Sequence, residues 1–158
     1  MIRHAGLIAR RVGGLWRGVL IEGPSGVGKS DLALRALDHG FRLVADDRTR
    51  VFLSRDRLFG RAPSPLMGLI EVRGLGVLRR DPLPFAEIVL SVRCVAGPGL
   101  VPRMAAETSE NLLGKRLPCL DLWPLEDAAP IKLSEAIENL GAGAQAGYQA
   151  RFAPTGGR

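Results

Sequence analysis

Residues 16–30 read Trp16-Arg17-Gly18-Val19-Leu20-Ile21-Glu22-Gly23-Pro24-Ser25-Gly26-Val27-Gly28-Lys29-Ser30, and the order of residue types in this stretch decides what kind of domain the chain builds. Residues 16–22 have the apolar, β-branched character of a buried strand. Residues 23–30 then satisfy G-x-x-x-x-G-K-[ST], and Leu32, Ala33, Ala36 and Leu37 follow at helical spacing up to Gly40, a good helix-ending residue. Strand, glycine loop and helix in that order give the pattern its physical meaning. Small residues let successive backbone N–H groups converge on a phosphate, and the helix N-terminus adds a favourable dipole. In this reading Gly23, Pro24, Ser25, Gly26, Val27 and Gly28 wrap a nucleotide's phosphates, Lys29 bridges the β- and γ-phosphates, and the Ser30 hydroxyl ligates Mg²⁺. A glycine turn that merely starts a helix leaves unexplained why one of only three lysines stands here.

The next strand, residues 41–45, ends in Asp46 and Asp47, where phosphoryl transfer needs a metal ligand and a base for the attacking hydroxyl. One acid can do each job; a solvated turn is the competing reading. An aspartate near its reference pKa of about 3.9 is already ionised at neutral pH, so placement matters more than basicity.

Further out, residues 6–12 read as a strand, and residues 51–53 and 58–59 as a hairpin around the polar turn 54–57. Pro63 and Pro65 interrupt the chain before a glycine-rich, strand-like stretch at 66–77. Residues 88–95 and 117–122 look like strands and residues 131–140 like a closing amphipathic helix. Within 66–77, Glu71 is an acid in apolar company that needs a cation or Arg73 beside it if buried, and Gly74 and Gly76 suit a bulge. The tail, residues 141–158, is rich in Gly, Ala and Gln without periodic apolar positions and is expected to fray, leaving residues 1–140 as one domain.

Length and composition set the limits. A chain of 158 residues with 46% hydrophobic and 24% charged residues supports one compact core and excludes a disordered chain. No apolar run reaches the roughly 18 residues of a membrane span, and no secretory h-region opens the chain, so a cytoplasmic protein is expected. Cys94 and Cys119 stand singly, without zinc-ligand spacing, as buried thiols would. Arginine supplies 19 of the 22 basic residues behind the net charge of +6. They are scattered and few aromatics accompany them, which argues against a dedicated nucleic-acid module and leaves an acidic protein partner, phosphate chemistry or an arginine-biased genome as equal explanations.

Four stretches together resemble one family. His4-Ala5-Gly6, the loop 23–30, Arg42-Leu43-Val44-Ala45-Asp46-Asp47 and Gly68-Leu69-Ile70-Glu71-Val72-Arg73-Gly74-Leu75-Gly76-Val77 are similar to the C-terminal catalytic domain of HPr kinase/phosphorylase, in the short form of some proteobacteria. That resemblance implies an α/β fold, a single P-loop kinase domain of the HPr kinase/PEP carboxykinase-like type with a mixed sheet and few helices. It implies ATP and Mg²⁺ as cofactors, an HPr-type phosphocarrier protein as acceptor, inorganic phosphate or pyrophosphate in the reverse reaction, and a hexamer.

Position by position, the resemblance implies that Lys29 contacts phosphate and that Asp46 accepts the proton in phosphorylation and donates it in reversal. It makes His4 an active-site histidine, Ser30 and Glu71 magnesium positions, and Arg103 the catalytic arginine, although Pro102 stands where the family usually has Glu. Asp47 remains the second candidate metal ligand. Residues 129–134 keep a P-x-K core without the G-R-N that follows it in the family, so kinase activity is implied and phosphorylase activity left open. Two other readings are a small-molecule kinase or other P-loop NTPase, and a non-catalytic module that senses nucleotide or binds nucleic acid.

Overall fold

The computed structural model describes residues 1–103 and 108–139. Strands β1 (Ile2–Arg3), β2 (Gly6–Val12) and β3 (Leu15–Glu22) lead into helix α1 (Lys29–Ala36). Next come β4 (Phe41–Ala45), a hairpin of β5 (Thr49–Ser54) and β6 (Arg57–Arg61), and a separate hairpin of β7 (Leu69–Val72) and β8 (Gly76–Arg79). The chain continues through β9 (Ala86–Cys94), β10 (Thr108–Leu112), β11 (Lys115–Leu122) and α2 (Ala129–Asn139). The main sheet has the order β1-β5-β6-β9-β3-β2-β4, with β11 beside the C-terminal end of β9 and β10 on β11. It is the mixed sheet the sequence implied: β3, β9 and β11 run parallel, and the other pairings are antiparallel.

Only His4 and Ala5 separate β1 from β2, yet β1 ends the sheet order on one side and β2 stands next to last on the other, so the sheet curls back on itself. The buried Thr49 hydroxyl donates to the Ala5 carbonyl at 2.8 Å across that seam. Alternating side chains then feed two cores. Ile8, Val19, Ile21, Leu43, Leu90 and Val92 face outward beneath Leu32 and Ala36 of α1 and Leu133 and Ile137 of α2. Leu7, Leu20, Val44, Ala45, Val51, Leu58, Ile88 and Leu112 fill the inside of the curl.

Two breaks in register aim the strand ends. Leu7 pairs with Ala45 and Ile8 with Leu43, so Val44 is an extra residue, and the end of β4 turns to present Asp46. Gly18 pairs with Ile88 and Val19 with Leu90, making Val89 the extra residue of β9. A Cβ on Gly18 would lie 2.6 Å from the Glu87 carbonyl oxygen, so this close crossing requires glycine.

The predicted strands at 6–12, 16–22 and 41–45 and both helices appear within a few residues of their expected bounds. The stretch 66–77 differs: it belongs to the β7–β8 hairpin, with Val72 opposite Gly76, so Gly74 and Gly76 shape a turn rather than a bulge. Glu71 is exposed on that hairpin and carries no burial penalty, so it needs no partner to relieve one. Leu140 and the tail 141–158 lie outside the described residues. No helix among the described residues is long and apolar enough to cross a membrane.

Candidate active site

The C-terminal ends of the parallel strands β3, β9 and β11 meet on one side of the sheet, where open α/β sheets place their ligands. From β3 the chain enters the glycine loop. Gly23 has φ 150°, and a Cβ there would lie 3.0 Å from both the Cβ and the carbonyl oxygen of Cys94 at the end of β9. Gly28 has φ 114°, and its Cβ would lie 2.8 Å from Leu125 Cδ2 in the segment after β11. Both positions combine a left-handed backbone with a close neighbour, which only glycine satisfies. The Val27 N–H donates to the Pro24 carbonyl at 3.2 Å and the Leu32 N–H to the Gly28 carbonyl at 2.9 Å, so the loop passes directly into α1. Arg35 of α1 donates to the carbonyls of Pro124 and Glu126 and ties the segment after β11 down beside the loop.

Lys29 Nζ donates to the carbonyls of Gly23, at 2.7 Å, and Pro24, at 3.1 Å, so its ammonium lies over the start of the loop. The Ser30 hydroxyl donates to Asp46 Oδ1 at 2.7 Å, and the Glu71 backbone N–H donates to Asp46 Oδ2 at 3.0 Å. Asp46 thus joins three of the stretches singled out in the sequence. Its neighbour differs: Asp47 is exposed at φ 64°, the apex of a tight turn closed by the Arg48 N–H on the Asp46 carbonyl at 2.7 Å. The structure brings Lys29, Ser30, Asp46 and the Glu71 backbone together. It leaves the Glu71 side chain and Asp47 exposed, His4 exposed at the bend between β1 and β2, and Arg103 exposed beyond the short helix Pro98–Leu100, unbonded to these site residues.

Cys94 lies beneath the loop. Burial pushes its thiol up to about 12, and the nearby Lys29 charge only partly opposes this. No group of three or more His, Cys, Asp or Glu among the described residues could hold a metal ion. The donor chemistry that does fit Mg²⁺ is the Ser30 hydroxyl with a carboxylate, since magnesium usually takes few protein oxygens and fills its shell with phosphate and water.

Sequence reasoning missed a charged row at the strand ends. Arg3 Nε and Nη2 donate to Glu22 Oε1 at 2.9 and 2.5 Å, and Nη2 also reaches Glu110 Oε2 at 3.0 Å. Burial pulls the Arg3 guanidinium down, but the hydrogen bond and charge of Glu22, backed by Glu110, outweigh it and leave Arg3 raised. Glu22 stands opposite Arg93 in the β3–β9 ladder, and Arg93 Nε donates to Asp121 Oδ1 at 2.8 Å. No local signal could have revealed the Arg3 pairs, whose partners lie 19 and 107 residues away.

The family model described as the HPr Serine kinase C-terminal domain matches residues 5–82, which contain the whole bonded group from Gly23 to Glu71. An HPr kinase/phosphorylase of Latilactobacillus sakei is 50% identical over 62 residues, 39% of this chain and 20% of that protein. One of Clostridium tetani is 40% identical over 78 residues, 49% of this chain and 26% of that protein. The matched stretches therefore span only a fifth to a quarter of these relatives' length. The solved structure of the Hpr(Ser) kinase/phosphatase from Coxiella burnetii superposes with a TM-score of 0.77 at 25% identity, covering 96% of both chains. With the loop and its aspartate inside the matched residues and the fold shared over nearly the whole length, the chain is similar to HPr serine kinase C-terminal domains in sequence over residues 5–82 and in fold throughout.

Proposed function

We propose that this protein transfers the γ-phosphoryl group of ATP to a serine hydroxyl of an HPr-type phosphocarrier protein. The observation that carries the reading is Asp46, bonded to Ser30 at the end of the glycine loop and to the backbone of Glu71. A carboxylate offers about four lone-pair sites, so Asp46 can hold both partners and still accept a proton.

The loop N–H groups and the start of α1 bind the phosphates, and Lys29 exchanges its Gly23 and Pro24 carbonyls for phosphate oxygens. Mg²⁺, when bound, would neutralise charge on the phosphates; Ser30 would hold it, with Asp47 in the turn after β4 and Glu71 on the β7–β8 hairpin as the further candidate ligands, which leaves Asp46 for the proton. Asp46 takes the serine proton as the serine oxygen bonds to phosphorus and the bond to the ADP oxygen breaks. His4 and Arg103 complete the acceptor side by resemblance. In reversal, Asp46 takes a proton from inorganic phosphate as a phosphate oxygen bonds to the phosphorus of phosphoserine; the bond to the serine oxygen breaks, that oxygen receives the proton from Asp46, and pyrophosphate is the product.

Residues 1–140 form the catalytic domain in this proposal, with the cytoplasm as its compartment. The reading includes the hexamer that the resemblance implies. The stacked Phe52 and Phe59 rings of β5–β6 meet the exposed Phe85, an apolar patch that supports assembly.

The test is incubation of the purified chain with γ-labelled ATP, magnesium and HPr. Label on an HPr serine is expected. Label on a metabolite instead indicates a small-molecule kinase, and salt-sensitive DNA binding without transfer a nucleic-acid module. Adding phosphate to phosphoserine-HPr and measuring pyrophosphate tests the reverse direction.

A further inference from the structure

We propose that Arg3 is a positioning residue of this site, its guanidinium forked between Glu22 and Glu110 so that the bend carrying His4 keeps a fixed spacing from the start of the glycine loop. The inference rests on the phosphotransfer reading above. Each member of the trio borders a segment with a candidate role. Arg3 precedes His4, Glu22 precedes Gly23, and Glu110 lies in β10, the strand that follows the segment bearing Arg103. The fork is made at 2.9 and 2.5 Å to one carboxylate and 3.0 Å to the other, so a single planar group registers three strands.

Stability alone is a poor reason for this arrangement. The three side chains are 30%, 22% and 26% exposed, a partly buried setting in which the cost of desolvating the charges offsets much of what the ion pairs gain. Glu110 Oε1 is buried without a hydrogen-bond partner, which costs free energy that an apolar trio would not incur. What the fork provides is direction. Without it, Glu22 and Glu110 repel each other, and both the bend and the loop entrance lose their common anchor.

The experiment uses the full chain and the variants Arg3→Lys, Arg3→Met and Glu110→Gln. Melting temperature, ATP affinity by calorimetry, kcat and KM for HPr, and amide hydrogen exchange over residues 2–6 and 22–28 are measured. Arg3→Lys keeps the charge and loses the fork. It is expected to retain the wild-type melting temperature and ATP affinity while kcat falls about 10-fold; Arg3→Met falls by up to ~10²-fold, the scale of a small misplacement of reacting groups. Exchange in both segments accelerates in Arg3→Met and stays constant in α2. Wild-type kcat in Arg3→Lys, or kcat that merely follows melting temperature across the three variants, overturns the proposal. If the wild-type chain transfers no phosphate to HPr, the phosphotransfer reading falls and exchange alone decides: joint acceleration of the two segments upholds Arg3 as their anchor, and unchanged exchange removes it.

Discussion

Asp46 shows how far one carboxylate can be committed before it stops being useful. Ser30 takes one oxygen and the Glu71 N–H the other, so both positions meet donors. Asparagine at this position would turn an NH₂ toward one of those donors and could accept no proton. Asp46→Asn is therefore expected to lower the single-turnover rate by at least ~10²-fold, and Lys29→Ala by a similar factor, with the fold retained by circular dichroism. Cys94 gives a second prediction at this scale. Its folded thiol sits near 12 against an ordinary value of 9.0, so above pH 9 the unfolded chain releases a proton that the folded chain keeps. Stability is thus fully present below pH 9 and falls between pH 9 and 12 by about 1.4 kcal/mol per pH unit from this group. Urea titrations across that range should show a shallower loss for Cys94→Ala than for the wild type; equal slopes would remove Cys94 as a cause.

Helix α1 owes its position to the residue before it. Gly28 combines a left-handed backbone with Leu125 Cδ2 only 2.8 Å from where a Cβ would stand. Gly28→Ala is expected to cost about 1–2 kcal/mol in urea unfolding and to weaken ATP binding in calorimetry as well, because the strained residue starts the helix proposed to face the phosphates. This element was legible in the sequence, since its whole signal, from the glycine loop to Gly40, is local. The β7–β8 hairpin was less so. Residues 69–79 carry the apolar content of a buried strand, but Leu75 and Val77 are exposed and Glu71 stands in solvent, because the pair forms its own two-stranded sheet. Strand β10, with Thr108, Ser109, Glu110 and Asn111 before its buried Leu112, has no alternation to read, and β1 is two residues long.

At the scale of the whole molecule, the curl of the sheet is what no local pattern announced. Placing β1 against β5 needs Ile2 opposite Arg50 and Arg3 opposite Thr49, pairings set by closure rather than by neighbouring residues. The same closure brings Arg3 to Glu22 and lets two short extra residues, Val44 and Val89, turn strand ends toward one rim. Local chemistry thus singled out the glycine loop and the aspartate bonded to it, whereas the side chains that frame them became visible only with the strands in place. The thiol beneath Gly23 offers a practical return on that packing. Sealed under the loop and almost wholly protonated at neutral pH, Cys94 can meet an alkylating reagent only when the floor of the cradle parts, so its labelling rate in a Cys119→Ala background is a stopwatch for that excursion. A nucleotide seated above should slow the clock, and a rate indifferent to ATP would mean that the thiol is reached by another door.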